Sequence, residues 1–206
     1  MRRTAFSRTA VFAFCILLCA AQAFAAETAA NPVKRGLPMQ PPRALLQKMF
    51  PEDPLYLSLS GGWGYEQTDP VVITTPKELA GQYFDTEPLE YGMVDFRNYE
   101  EFVGARAESQ KMVVMGIDRG ERRVVRENGK VLSCITAHAR VISPDDFKKL
   151  SSDVERIDAK DVEARKTLES RVSKVSRTYW FDLTEPFAHN EELESKGVKP
   201  PAAGSR

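Results

Sequence analysis

Cysteine and histidine are scarce in this chain. Of its 206 residues, three are cysteine and two are histidine. Cys15 and Cys19 fall in the first 25 residues, so Cys134 is the only thiol beyond them. A lone thiol cannot close an internal disulfide, and stability must come from packing. Cys134 stands among apolar residues of an expected strand and reads as a buried, inert thiol. The short motifs of metal chemistry are missing too. There is no His-Glu-x-x-His, no Cys-x-x-Cys and no Asp-x-Asp-x-Asp-Gly calcium loop. A phosphate loop, a dinucleotide fingerprint and a Gly-x-Ser-x-Gly elbow are equally absent, and no cofactor is expected.

Charge of one sign is lacking as well, with 29 basic against 29 acidic residues. The first 25 residues hold three of the bases and none of the acids, which leaves 26 against 29 beyond them. A mildly acidic protein has no electrostatic footprint for nucleic acid or anionic lipid.

Only one long apolar run occurs, from Val11 to Ala21. It is shorter than the roughly 20 residues that span a bilayer. Arg2, Arg3 and Arg8 precede it, and Ala23-Phe24-Ala25 follows with a small-x-small pattern. That order predicts a bacterial export signal cleaved after Ala25, by the general secretory route rather than twin-arginine export. Cys19 follows Leu18, not a small residue, which argues against lipid anchoring. The mature chain of about 180 residues is enough for one core, and its expected place is the periplasm or the exterior.

Four segments are expected. Residues 1–25 are the signal peptide. Residues 26–54 are a linker rich in Pro and Ala, with a short helix over 43–50 between prolines. Residues 55–186 form a single α+β domain with an antiparallel sheet against helices. Residues 187–206 are a disordered tail. Within the domain, Leu55, Leu57 and Leu59 alternate with polar residues as in a strand. Thr75-Pro76-Lys77-Glu78 predicts a capped helix to about Phe84. Residues 95–107 read as a helix with Phe96, Tyr99, Phe102 and Val103 on one face. Lys111 to Ile142 reads as a three-stranded meander, with a break at Asp118-Arg119-Gly120 and a type I′ turn at Asn128-Gly129. Ser143-Pro144 opens a long amphipathic helix that reaches Arg177. Tyr179 to Leu183 reads as an edge strand or docking tail.

The candidate surface for a ligand or partner is Gly61-Gly62-Trp63-Gly64-Tyr65, together with His138. Glycines let a backbone approach a ligand, and Trp63 and Tyr65 could stack on one; a strand bulge with Trp63 in the core is the plainer explanation. His138 and Cys134 lie four residues apart on one strand, roughly 13 Å between Cα atoms, too far for a thiol–imidazole pair. Glu66, Asp85, Glu87, Glu90 and Asp95 are carboxylates whose convergence would make an acid–base site. The expected function is a non-enzymatic module or inhibitor that binds a protein partner in the cell envelope. A hydrolase using those carboxylates and a small-ligand module using the glycine–aromatic segment are the alternatives.

Overall fold

The computed structural model describes residues 31–200, apart from 54, 56–57, 155–165 and 168. The expected signal peptide, with cleavage at Ala25, lies outside the described residues. Among those described, no helix is long and apolar enough to cross a membrane.

The fold is a single α+β domain. A five-stranded sheet runs in the order β1-β2-β5-β4-β3. Its strands are β1 (Leu59–Glu66), β2 (Asp69–Ile73), β3 (Val113–Glu127), β4 (Lys130–Ile142) and β5 (Ser173–Asp182). Among the described residues, four helices with defined bounds accompany it: α1 (Pro42–Met49), α2 (Glu87–Tyr99), α3 (Pro144–Val154) and α4 (Thr184–Ser195). The sheet is mixed rather than wholly antiparallel. Val71 and Val72 of β2 pair in parallel with Phe181 and Asp182 of β5, while the other neighbouring strands are antiparallel.

Asn128 and Gly129 take φ of 52° and 76°, as a type I′ turn requires, and join β3 to β4. The expected break at Asp118-Arg119-Gly120 does not occur. Bulges at Val114/Gly116 and Arg119/Arg122 absorb the extra residues, so β3 stays one strand of 15 residues. The third antiparallel strand of this unit is β5.

Alternation along β4 separates the two faces. Ser133, Ile135, Ala137, Ala139 and Val141 are buried, whereas His138 and Arg140 are exposed. On β5, Val175, Arg177, Tyr179 and Phe181 turn to the buried face. The main core joins Ile135, Ala137, Tyr179 and Phe181 to Leu59, Val71, Ile73, Met93 and Val94, with Leu45 and Leu46 from α1, while Ala139, Val141 and Val175 pack with Phe102 in a second cluster.

Several sequence expectations are corrected here. The helix expected to Arg177 has given way to β5 by Ser173, because Val175 to Phe181 pairs with β4 along its length. Residues 155–165 of that expected helix lie outside the described residues. β5 is a central strand rather than an edge. Thr75 caps no helix; its N–H (2.5 Å) and Oγ1 (3.0 Å) donate to Glu185, and only one 3₁₀ turn follows, Lys77–Leu79. Leu55 and Ser58 precede β1, which begins at Leu59 and takes in the glycine segment. The expected tail is helical to Ser195, because Asn190 exchanges two hydrogen bonds with the Phe84 backbone (3.0 and 2.9 Å). The described part of the expected linker also belongs to the fold: Met39, Leu45 and Leu46 are buried. Cys134 is half-buried.

Candidate functional site

The glycine–aromatic segment is built into the sheet. Gly61 and Gly64 hold φ of 79° and 82° beside an irregularity in the β1–β2 ladder. Residues with a Cβ rarely adopt that conformation. Asp69 Oδ2 accepts from the Trp63 N–H (3.1 Å), and a Cβ at Gly62 would strike the Asp69 carboxylate. Trp63 is half-buried, with its ring 5.4 Å from Arg97 Cζ. Tyr65 packs on Tyr179 at 5.5 Å, and burial pushes its hydroxyl pKa up. Both aromatic side chains therefore have partners on the buried face.

His138 lies on the opposite face. Its Nδ1 is 2.7 Å from Ser176 Oγ. Asp118 of β3 stands in register with His138, and Ser176 of β5 stands on its other side. The His138–Ser176 contact, with Asp118 in register on the far side, was concealed by sequence spacing, since the row spans three strands. It lies on an exposed sheet face, whereas acyl-transfer chemistry needs fixed oxyanion donors and exclusion of water. Cys134 pairs instead with Arg123 and Trp180.

The five carboxylates divide. Glu66 pairs with Lys34 and Asn31 at the end of β1. Asp95, on α2, lies 3.6 Å from Arg119, and burial raises its pKa against the Arg119 attraction. The other three gather around Arg122. Glu90 is fully buried and accepts from Arg122 Nη2 (2.8 Å), Arg122 Nε (3.0 Å), Thr86 (2.7 Å) and Ser133. Burial opposes the Arg122 charge, but the Glu90 bond, aided by Glu87 and Asp85, holds its pKa above the ordinary value. Asp85 also accepts from the Glu87 N–H (3.1 Å) at the start of α2. Glu90 is thus consumed as a structural ion-pair partner, with both oxygens occupied.

A second ion cluster lies at the other end of α2. There the helix widens into one π turn, Glu100–Gly104, and the Ala105 N–H donates to the Glu100 carbonyl five residues back. Glu101 is fully buried and accepts from Arg177 (2.7 and 3.1 Å) and from Arg35 (2.8 Å). Arg97 donates to Glu100 (2.7 Å) and to the Gln40 carbonyl (2.6 Å). The Gln40 N–H donates back to Glu100 (2.5 Å). Residues 31–41 are in this way strapped over the cluster, and the strap leads directly into α1. Sequence reading placed a helix with an apolar stripe over residues 95–107, whereas α2 begins eight residues earlier, at Glu87, and passes into the π turn after Tyr99. The spacing of Glu90, Arg97 and Glu101 carried the signal of a polar buried face instead, while Tyr99 is 58% exposed.

A concavity lies between the C-terminal end of α1, residues 79–85 and α2. It is a cleft of ≈ 410 Å³ whose lining includes Leu46, Phe50, Tyr83, Leu89, Met93 and Phe96. Phe50 and Leu55 on its border are 44% and 38% exposed. Gly92 faces it from the middle of α2. A Cβ there would meet only Phe96 Cε2, at 3.9 Å, an ordinary contact. The fold therefore does not require glycine at 92, although glycine in a helix costs about 0.5–1 kcal/mol relative to alanine. Its effect is to leave the cleft floor without a side chain. Asp53 and Asp85 are the charged residues lining the cleft. Comparison with protein-family models, with curated proteins and with solved structures finds no match for the chain.

Proposed function

We propose that this protein is an exported, non-enzymatic interaction module of the bacterial envelope whose partner inserts apolar side chains between α1 and α2. The observation that carries the reading is the α1–α2 cleft, with Gly92 opening its floor and Phe50 and Leu55 exposed on its border. Concave apolar sites with a few polar groups are favoured binding positions, and exposed apolar clusters mark interaction surfaces. The carboxylates support this reading over hydrolysis, because Glu90 is committed to Arg122 and two of its neighbours, and Glu66 and Asp95 lie with other partners.

The test compares capture from an envelope extract by three forms of the chain. Wild type and His138→Ala should retain the same partner, and Gly92→Leu, which fills the cleft, should lose it. A partner held equally by all three forms, or no partner specific to the open cleft, overturns the reading.

A further inference from the structure

The charge around the cleft adds the chemistry of its occupant, an inference that rests on the docking reading above. Among the described residues lining the cleft, two are acidic, Asp53 and Asp85, and none is basic. Glu87, one residue before Pro88 of the lining, is exposed, and its N–H donates to Asp85. Beyond Phe96, which lines both, lies a second hollow of ≈ 460 Å³ bordered by Met49, Tyr99, Val114 and Ile117. Its two charges, Asp95 and Arg119, face each other at 3.6 Å and largely cancel. The lining is thus mainly apolar, acidic at one end, where the Arg122 charge near Asp85 is already met by the buried Glu90, and balanced at the other.

We infer that the occupant is a protein segment with two apolar anchors and a lysine or arginine flanking the anchor that enters between α1 and α2. The lining moves along α2 from Gly92 and Met93 to Asp95 and Tyr99. That is one to two helical turns, so the anchors stand about 5–10 Å apart, which includes the ~6 Å rise between positions i and i+4 of a helix. The cation adjoins Asp53 and Asp85, where partial exposure gives an attraction that salt screens. This fixes the direction of the segment as well as its composition. A cation next to the second anchor would meet the balanced Asp95–Arg119 pair and gain little.

Two synthetic helical peptides serve as probes, each carrying Phe and Leu four residues apart. One has Lys-Lys beside the Phe and the other Glu-Glu. Fluorescence anisotropy at low salt should give about tenfold tighter binding of the lysine peptide, and 0.5 M salt should shrink that preference to about twofold. The double variant Asp53→Asn/Asp85→Asn should remove the preference while still binding both peptides. Thermal melting of that variant beside wild type confirms its fold, and Asn at 85 keeps an acceptor for the Glu87 N–H. Equal binding of both peptides to the wild-type chain overturns the charge inference and leaves the docking reading standing. Binding of neither peptide, or binding that survives Gly92→Leu, overturns the docking reading itself. Self-association that Gly92→Leu abolishes assigns the cleft to a second copy and also overturns the cationic segment.

Discussion

The two ends of α2 bury charge in different ways. At the first, Glu90 meets Arg122 of β3, Ser133 of β4 and Thr86 one turn earlier, and both its oxygens are filled. Helix and sheet complete that site between them. At the second, Glu101 and Arg97 need residues 31–41 to finish their bonding, and Arg97 Nε and Nη2 have no hydrogen-bond partner among the described residues, with the Trp63 ring 5.4 Å from Arg97 Cζ. The difference separates a self-contained ion pair from one whose completion depends on a distant stretch of chain. Buried pairs of either kind are weak as sources of net stability and costly to break. The second kind also ties α1, and with it one wall of the cleft, to the hydrophobic sheet.

The largest expected effect is at Glu101. Glu101→Ala strands Arg177, whose side chain is 4% exposed, and should cost about 3–5 kcal/mol by urea unfolding. Glu90→Ala should cost less, about 3 kcal/mol, because the Arg122 side chain is 19% exposed and can turn toward water. The reverse order would break the comparison. Arg35→Ala leaves Glu101 its bonds to Arg177 and should cost about 1.5–3 kcal/mol. A loss equal to that of Glu101→Ala would show that the strap, rather than Arg177, holds the second site. Gly92→Ala should stabilise the chain by about 0.5–1 kcal/mol, measured in the same way, since the added methyl fits. A net loss would mean that glycine there serves the fold.

Asp95 sharpens the comparison through pH. Burial holds its folded pKa above the ordinary carboxyl value, in spite of Arg119. Its contribution is therefore complete below the unfolded pKa and fades as pH rises through the folded one. Thermal melts of wild type against Asp95→Asn should diverge from about pH 4 upward, with wild type losing ground. Smallest of all, Ser176→Ala at the exposed His138 contact should change stability by less than about 0.5 kcal/mol and leave peptide binding unaltered.

Local chemistry made part of this fold legible in the sequence. Asn128-Gly129 admits few backbone conformations, so the hairpin was evident, as was the short helix between Pro41–Pro42 and Pro51. The α+β class followed from the mixture of alternating and helical periods. What stayed hidden was non-local. Val175 fits a helical stripe by spacing, yet pairing with β4 places it in a strand. A polar segment around Asn190 reads as a tail until the Phe84 backbone is set opposite it. The candidate site was hidden for the same reason. Phe50, Tyr83 and Phe96 come from three separate segments, and Gly92 fell just before the expected helix of 95–107, where no local pattern marked it. Trp63 and His138 were conspicuous by residue type, but they occupy opposite faces of the sheet.

The position of β5 has a consequence for how the chain is made. Its ten residues end at Asp182, and they alone join the β1–β2 hairpin to the β3–β4 hairpin. During synthesis from the N-terminus, both hairpins exist before the strand that unites them. Until β5 arrives, β2 and β4 each present an open edge, and the two pairs share no ladder. Final closure must then bring β2 against a strand more than 100 residues later in the chain, a slow kind of contact to form. The sheet is therefore completed only once Asp182 has been made, and a chain interrupted before residue 173 would hold two hairpins with no shared ladder.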